Sequence, residues 1–581
     1  MAIAIPAVSG PPAASLKVAL IFDIGGRGDS GFNDSAFRGL DKAVKELGVE
    51  FVLREPRRNL EREMSLNEAA ASDAGLIIGV GFSFSDRMND LAARYPGKKF
   101  VCVDYGQKFD AAGRPVPLPA NLAGLRFKEE EGSYLIGVIA ALKSRTGKIG
   151  FLGGMDGPVI RKFEAGYKAG AKSVRPDIVI ISKFTGITAR AFIDAAKGYE
   201  IAAGMYKEGA DIIYHAAGAT GEGLFRAAKE SGRWAIGVDV DQSPRAPGLV
   251  VTSMTKNVDV VVFEIIKAAI DGRFSGGLKT YGLKENGVGF VSNTRNKGLI
   301  PVEALAKAQT ARDRIIAGKI LVPTAGPEKP RLDQRELHAV LFGLKVEIAS
   351  VVDMLDADLK RGAESLSGLG LVGVRARDVL KRLYDSQPYI IDCETVSDRG
   401  IMLTVEPAAY RASEGADISA QAHMVRLLAN HQPVLSGLFR SVEGPPAVAF
   451  HHPVFSSDRS FVGSISALFS PEYLLASIIG PISTNLPVDI FLMQTDGLVL
   501  YDADPRQIGL NVFRDPMYQP FPELRTLAKR VAAEKEGTGE YRFFEKGTGP
   551  TTTEVAYWRT VDIHGTEWRI VITCAKESII K

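Results

Sequence analysis

At 581 residues, 46% hydrophobic and 24% charged, the chain is too long for one compact domain, and at about 150 residues per domain it holds about four units. Its 71 Lys+Arg against 68 Asp+Glu leave a formal net charge of +3, which gives no general basis for binding nucleic acid. Cys102, Cys393 and Cys574 lie far apart in apolar runs without CxxC spacing, so they read as buried thiols and not as a disulfide framework or a metal site.

No apolar run approaches the roughly 18 residues that span a bilayer, and the longest, Tyr134 to Leu142, belongs to an amphipathic helix pattern. The first fifteen residues, MAIAIPAVSGPPAAS, lack a basic start and are broken by prolines, so they do not read as an intact signal peptide. No lipid-bearing cysteine stands near the start.

From Leu16 to about Gly318, β-branched runs (KVALIF, LIIGV, KKFVCVD, KIGFLGG, DIIYHAAG, WAIGVDVD) alternate with amphipathic segments. That rhythm predicts parallel sheet built from βαβ units. The strand candidates outnumber what one doubly wound sheet comfortably holds, so two α/β lobes are expected, with crossovers near 121–128 and 250–257. Residues 321–334, LVPTAGPEKPRLDQ, have linker composition. The expected domains are therefore 16–320 and 335–581.

Beyond the linker, Leu341, Leu344, Ile348, Val352, Leu355 and Leu359 recur every three or four residues, which predicts one long helix over Glu336 to Glu364. Short strands joined by Gly and Asp turns follow, in two antiparallel modules around 386–475 and 487–575. Tyr541, Trp558 and Trp568 are expected on a half-buried sheet face. No strong internal repeat is evident.

The loop IFDIGGRGDSGFNDSAF carries Gly26, Gly28 and Gly31, a formal GxGxxG between a strand and a helix, with Glu55 near the end of the next strand. Asp29 and Asp34 oppose a dinucleotide there, because two carboxylates would repel the pyrophosphate a helix N-terminus normally receives. Arg27-Gly28-Asp29 also spells a cell-adhesion tripeptide, read as chance.

The same loop (23–40), with FVCVD (100–104), GFLGGMDGPVIRKFEAGYKAGAK (150–172), YHAAGATGEGLF (214–225), AIGVDVDQ (235–242) and TSMTKNVDVVV (252–262), resembles the basic membrane protein family. These are type I periplasmic binding proteins that include the purine nucleoside receptor A lipoproteins. The resemblance implies two α/β lobes closing on a nucleoside and delivering it to an ATP-binding-cassette importer. The expected ligand residues are Asn33, Asp34, Phe37, Asp104, Tyr214, Gly218, Asp239 and Lys256, most of them at carboxyl ends of parallel strands. Phe37 offers a stacking face, Asp104 an acceptor for ring N–H groups, and Asp239 with Lys256 a pair for the ribose diol. Each has a plainer reading: Phe37 in the core, Asp104 as a helix cap, Asp239 and Lys256 as an ordinary ion pair, Tyr214 turned into the core by its strand phase.

From about Glu336 onward the chain resembles a double Cache domain, an α+β sensor of two PAS-like sheet modules behind a long helix. The carrying segments include YRASEGADISAQ (410–421), HHPVFSSDRSFVGSISALFSPEYLL (451–475), DIFLMQTDGLVLYDADPRQIGLN (489–511) and HGTEWRIVIT (564–573). Tyr410, Arg411, Asp417 and His451 are its candidate pocket residues, at least two of them expected to be structural. His451 and His452 are adjacent on a strand, point to opposite faces and do not form a metal clamp. No catalytic motif, cofactor or metal is expected. The expected partners are a small-molecule ligand and an importer permease or, alternatively, a membrane signalling protein; the expected place is the periplasm or another extracytoplasmic compartment.

Overall fold

The structure, a computed structural model, describes residues 16–56, 59–107, 115–186, 189–324, 332–387, 389–442, 444, 446–486, 488–544 and 551–580. The chain forms two compact units, Met1–Glu328 and Lys329–Lys581.

In the first unit the chain runs β1 (Lys17–Phe22), α1 (Phe32–Leu47), β2 (Glu50–Arg54), α2 (Asn59–Ala71), β3 (Leu76–Val80), α3 (Ser85–Arg94), β4 (Lys99–Val103) and β5 (Leu122–Phe127). It continues α4 (Glu129–Lys143), β6 (Lys148–Met155), α5 (Pro158–Val174), β7 (Val179–Gly186), α6 (Ala195–Lys207), β8 (Ile212–Ala216), α7 (Gly221–Ser231), β9 (Trp234–Asp239) and β10 (Val250–Lys256). It ends α8 (Val258–Ile270), β11 (Gly277–Tyr281), β12 (Val288–Phe290) and α9 (Val302–Ile316). The strands form two six-stranded sheets, ordered β11-β5-β4-β3-β1-β2 and β12-β10-β9-β8-β6-β7. Pairing is parallel throughout except for β12, which runs antiparallel to β10. Interior strands such as LIIGV are buried along their whole length, as a sheet covered on both faces requires, whereas the edge strand β2 is partly exposed.

The two sheets repeat one topology: β1 to β5 and β6 to β10 occupy the same places in their respective lobes. This pseudo-repeat is invisible in the sequence because only the backbone path is shared. The chain passes between lobes at Lys128, at Asn257 and again between Tyr281 and Val288. Only the first two passages are anticipated by the strand pattern; the third is a short excursion between two edge strands. Helix α4 is apolar nearly all round and buried on every side, against α5 and α9. Gly166 and Gly170 of α5 lie directly on the α4 backbone at Glu130 and Tyr134, with no room for a Cβ.

Residues 325–331 of the expected linker lie outside the described residues. The second unit begins with β13 (Leu332–Asp333), paired in parallel with the terminal β25 (Ile579–Ile580). Helix α10 (Gln334–Leu369) extends beyond both ends of the predicted span, and buries Leu337, Leu341, Leu344, Ile348, Val352, Leu355 and Leu359. After α11 (Val374–Ser386), one antiparallel sheet holds β14 (Ile390–Ser397), β15 (Met402–Glu406), β16 (Val434–Leu435), β17 (Phe439–Arg440), β18 (Pro446–Phe455) and β19 (Phe461–Phe469). Helices α12 (Ala422–Asn430) and α13 (Pro471–Asn485) accompany it. A second sheet holds β20 (Asp489–Gln494), β21 (Val499–Tyr501), β22 (Glu536–Phe544), β23 (Thr551–Ile563) and β24 (Thr566–Ala575), with α14 (Pro522–Ala533) across it. Tyr541, Trp558 and Trp568 are fully interior and not half-buried. Among the described residues no helix is long and apolar enough to cross a membrane.

Candidate functional site

The glycine loop after β1 is organised by its own carboxylates. Asp29 accepts hydrogen bonds from the backbone N–H groups of Gly31 (2.9 Å), Asn33 (2.8 Å) and Asp34 (3.1 Å), so an anion already occupies the N-terminus of α1. Asp34 accepts from Gly28 N–H at 2.8 Å and Ser30 N–H at 2.9 Å. Glu55 takes the Arg27 N–H and its guanidinium Nε, at 3.1 and 2.7 Å. The amides a pyrophosphate would use are thus satisfied, and the Gly26-Gly28-Gly31 match is a turn and not a dinucleotide cradle. Arg27 and Asp29 are likewise committed to internal contacts, which leaves no displayed tripeptide.

A cleft opens between the lobes at the carboxyl ends of their strands. One side carries Asp23, Phe32, Asn33, Phe82 and Asp104; the other carries Ile160, Phe163, Phe192, Gly218, Asp239 and Lys256. Asp104 follows β4 and Asp239 ends β9, the equivalent strands of the two lobes, and both have left-handed backbones, φ 63° and 67°. Asp is among the few non-glycine residues that tolerate this conformation, and such strain concentrates at functional sites.

Lys256, 2% exposed at the end of β10, reaches across the cleft to Asp104 Oδ2 at 2.6 Å. Its Nζ also lies 3.0 Å from Glu129 Oε1, and 4.9 Å from the ring centres of both Phe32 and Phe127. Burial opposes its charge, but Asp104, Glu129 and Asp239 more than compensate and raise its pKa. Glu129 would be raised by burial, yet Lys256 and Lys162 hold it below its ordinary value. Burial keeps Asp104 raised despite Lys256. Its second oxygen, Oδ1, is buried with no hydrogen-bond partner among the described residues. Burial also pushes Asp239 up to about 7, with Asp29, Asp104 and Glu129 adding to the shift. A further interlobe bond, Gln242 Nε2 to the Ser30 carbonyl at 3.0 Å, shows the lobes drawn together.

Asn33, Asp104, Gly218, Asp239 and Lys256 therefore converge on the cleft, and three of the expected residues do not line it. Asp34 is consumed by the loop. Phe37 sits five residues past Phe32, about 140° further round the helix, where it packs on the core under the Arg27 guanidinium at 4.8 Å. Tyr214 is fully buried, its hydroxyl 3.1 Å from Ser133 Oγ and its ring packed on Phe151 and Tyr167, the core orientation its strand phase allowed. The aromatic faces are supplied instead by Phe32, Phe82, Phe163 and Phe192. The sequence carried one signal for them: Val159, Ile160 and Phe163 begin a helix directly after a strand end, a position that faces a cleft as readily as a core.

The four candidates of the second unit do not assemble. Tyr410 packs on the Val396–Met402 cluster, Arg411 pairs with Glu406, and exposed Asp417 accepts from Ser419 N–H at 2.9 Å. His451 is buried within the sheet between Ser464 and Ser466, both at 3.4 Å, and stacks on His423. His452 points the other way, its Nε2 2.7 Å from Asp356 Oδ1 of α10; the same oxygen takes His564 Nε2 at 3.1 Å. No group of three or more His, Cys, Asp or Glu among the described residues is arranged to hold a metal ion.

Residues 16–325 match the family model described as ABC transporter substrate-binding protein PnrA-like. Residues 350–471 match the sensor domain of HK/GC/chemotaxis-like proteins. Basic membrane protein A of Borreliella afzelii is 39% identical over 326 residues, 54% of this chain and 92% of that protein. The ABC transporter nucleoside-binding protein BmpA of Lactococcus lactis subsp. cremoris is 36% identical over 338 residues, 54% of this chain and 91% of the relative. Among solved structures, an ABC transporter solute-binding protein from Aeropyrum pernix K1 covers 54% of this chain and 94% of its own, at 30% identity and TM-score 0.48.

Proposed function

The chain belongs to the family of PnrA-like ABC transporter substrate-binding proteins, and from that premise we propose that its cleft binds a purine nucleoside outside the cytoplasm and delivers it to an ABC importer. Residues 16–320 would be the binding domain, 321–334 the linker and 335–581 a Cache-type sensing or docking module. The protein binds its ligand without transforming it.

The observation that carries this reading is the charge pattern of an aromatic cleft. Its cation, Lys256, already faces two carboxylates, while Asp104 Oδ1 is buried with no hydrogen-bond partner among the described residues, and the Asp239 carboxylate lines the same cleft with its pKa pushed up to about 7 by burial. A ligand that donates hydrogen bonds and carries no phosphate complements such a site; a nucleotide would bring anion to anion. Asp239 would accept the two ribose hydroxyls, with the third Lys256 N–H available to the same diol, and Asp104 Oδ1 a ring N–H or exocyclic amine. Asn33 and Gly218 would contribute polar and backbone contacts, and a planar base would lie on the aromatic faces.

Titration calorimetry of the full chain against inosine, guanosine, adenosine, the free bases and the 5′-monophosphates tests it. Saturable binding of nucleosides, weakened strongly in Asp239→Asn, is expected. Binding of monophosphates as tight as nucleosides, or no nucleoside binding, would overturn the reading.

A further inference from the structure

Glu129 lies behind the cleft wall and is not among the residues lining it. It is nonetheless the first residue of α4, immediately after the first passage between lobes, and Lys256 is the last residue before the second. Their ion pair therefore joins two of the three crossing segments. Two residues on, Glu131 accepts from Lys128 Nζ at 2.9 Å and from Leu283 N–H at 2.8 Å, which brings in the third. Backbone bonds complete the joint: Lys128 N–H to the Tyr281 carbonyl at 3.0 Å and Asn257 N–H to the Gly287 carbonyl at 2.9 Å. The acidic start of α4 is thus in contact with all three segments that cross between the lobes.

We propose that Glu129 is the positioning residue that aims Lys256 across the cleft at Asp104 and sets the charge the ligand meets, so that cleft occupancy and lobe closure are linked through one buried carboxylate. Both Glu129 oxygens are committed: Oε1 to Lys256, and Oε2 to Lys162 Nζ at 3.1 Å, which also donates to the Phe127 carbonyl at 3.0 Å. Lys256 in turn links the crossing segments to a cleft carboxylate of the opposite lobe. The titratable groups of this cluster are Asp29, Asp104, Glu129, Glu130 and Asp239 against Lys162 and Lys256, so fully ionised it holds five negative charges against two positive.

Replacing Glu129 by Gln removes one negative charge and releases Lys256 toward Asp104. Two effects follow. Asp239, whose ionisation Glu129 opposes, gives up its proton at lower pH. Affinity at pH 8 falls about five- to tenfold, at the lower end of typical coupling between linked sites, because the lysine no longer stands where the closed cleft needs it.

The inference rests on the nucleoside reading only for the choice of ligand probe. The experiment is a pH titration of the ¹³C-aspartate-labelled full chain, empty, with Asp239 assigned by comparison with Asp239→Asn, followed by inosine calorimetry between pH 5.5 and 8.5. Glu129→Gln should lower the Asp239 midpoint and move the acid limb of inosine affinity with it; Glu129→Asp should restore the midpoint. Lys162→Met, which removes a positive charge from the same cluster, should raise it. Shifts of opposite sign in these two variants are not produced by loss of packing. An unmoved midpoint in Glu129→Gln, or shifts of the same sign in both variants, overturns the proposal. Should Glu129→Gln fail to fold, the Lys162→Met shift decides alone, its absence being fatal. Should no nucleoside bind the unaltered chain, the functional reading fails while the titration of the empty protein still judges Glu129.

Discussion

Asp239→Asn should make the protein more stable and unable to hold its ligand. Burial raises this carboxyl from 3.8 to about 7; at about 1.4 kcal/mol per pH unit, keeping it ionised costs the folded state about 4 kcal/mol. The sign follows from linkage. Between the two values the folded protein binds the proton more tightly than the unfolded chain, so this group disfavours folding progressively as pH rises from 3.8 to about 7, and fully above that. An amide carries no charge and tolerates the left-handed φ of 67°, so the substitution adds no backbone strain. Allowing for the amide's own unmet hydrogen bonds, a gain of about 2 to 3 kcal/mol is expected at pH 8 and close to none at pH 4. For a unit of this size that is a rise of about 3 to 5 °C in melting temperature. Calorimetric unfolding of both proteins at the two pH values, beside inosine titration at pH 8, measures it. Equal stabilisation at both pH values, or destabilisation at pH 8, would refute the claim that Asp239 is a buried charge only partly offset by Lys256.

Other expectations follow from particular contacts. Phe32→Ala should weaken nucleoside binding by about 1 to 3 kcal/mol, the worth of one stacking face, whereas Phe37→Leu should leave the calorimetric affinity unchanged. Gly170→Ala drives a methyl into the Tyr134 backbone of α4 and should cost about 1 to 3 kcal/mol, read as a lower urea midpoint for the first unit. Asp356→Asn removes the carboxylate shared by His452 and His564. Burial already lowers the His452 pKa and Asp356 opposes that, so in the variant the His452 ring-proton resonances should titrate at lower pH; an unchanged or higher midpoint would contradict the contact.

Much of this molecule is readable from local pattern. The alternation of KVALIF-type strands with amphipathic helices follows from backbone sterics and from covering a parallel sheet on both faces. Asp104, Asp239 and Lys256 were singled out by the resemblance to the basic membrane protein family, and their places at strand carboxyl ends, where ligands of such sheets bind, agree with it. Long α10 and the antiparallel modules were equally legible, since heptad-like spacing and short turns are properties of contiguous residues.

Contiguous residues thus encode the order and type of elements and the strand ends that carry carboxylates. Which side chains share a space is settled only by packing between distant segments. Phe32 rather than Phe37 reaches the cleft because α1 is rotated by its packing on α8. Tyr214 turns inward because Phe151 and Tyr167 complete its surroundings there. Lys256 meets Asp104 across 152 positions of sequence, and Glu129 matters only once three separate crossing segments come together at the start of α4. Contacts of that range depend on how two lobes close on each other, and no periodicity along the chain encodes it.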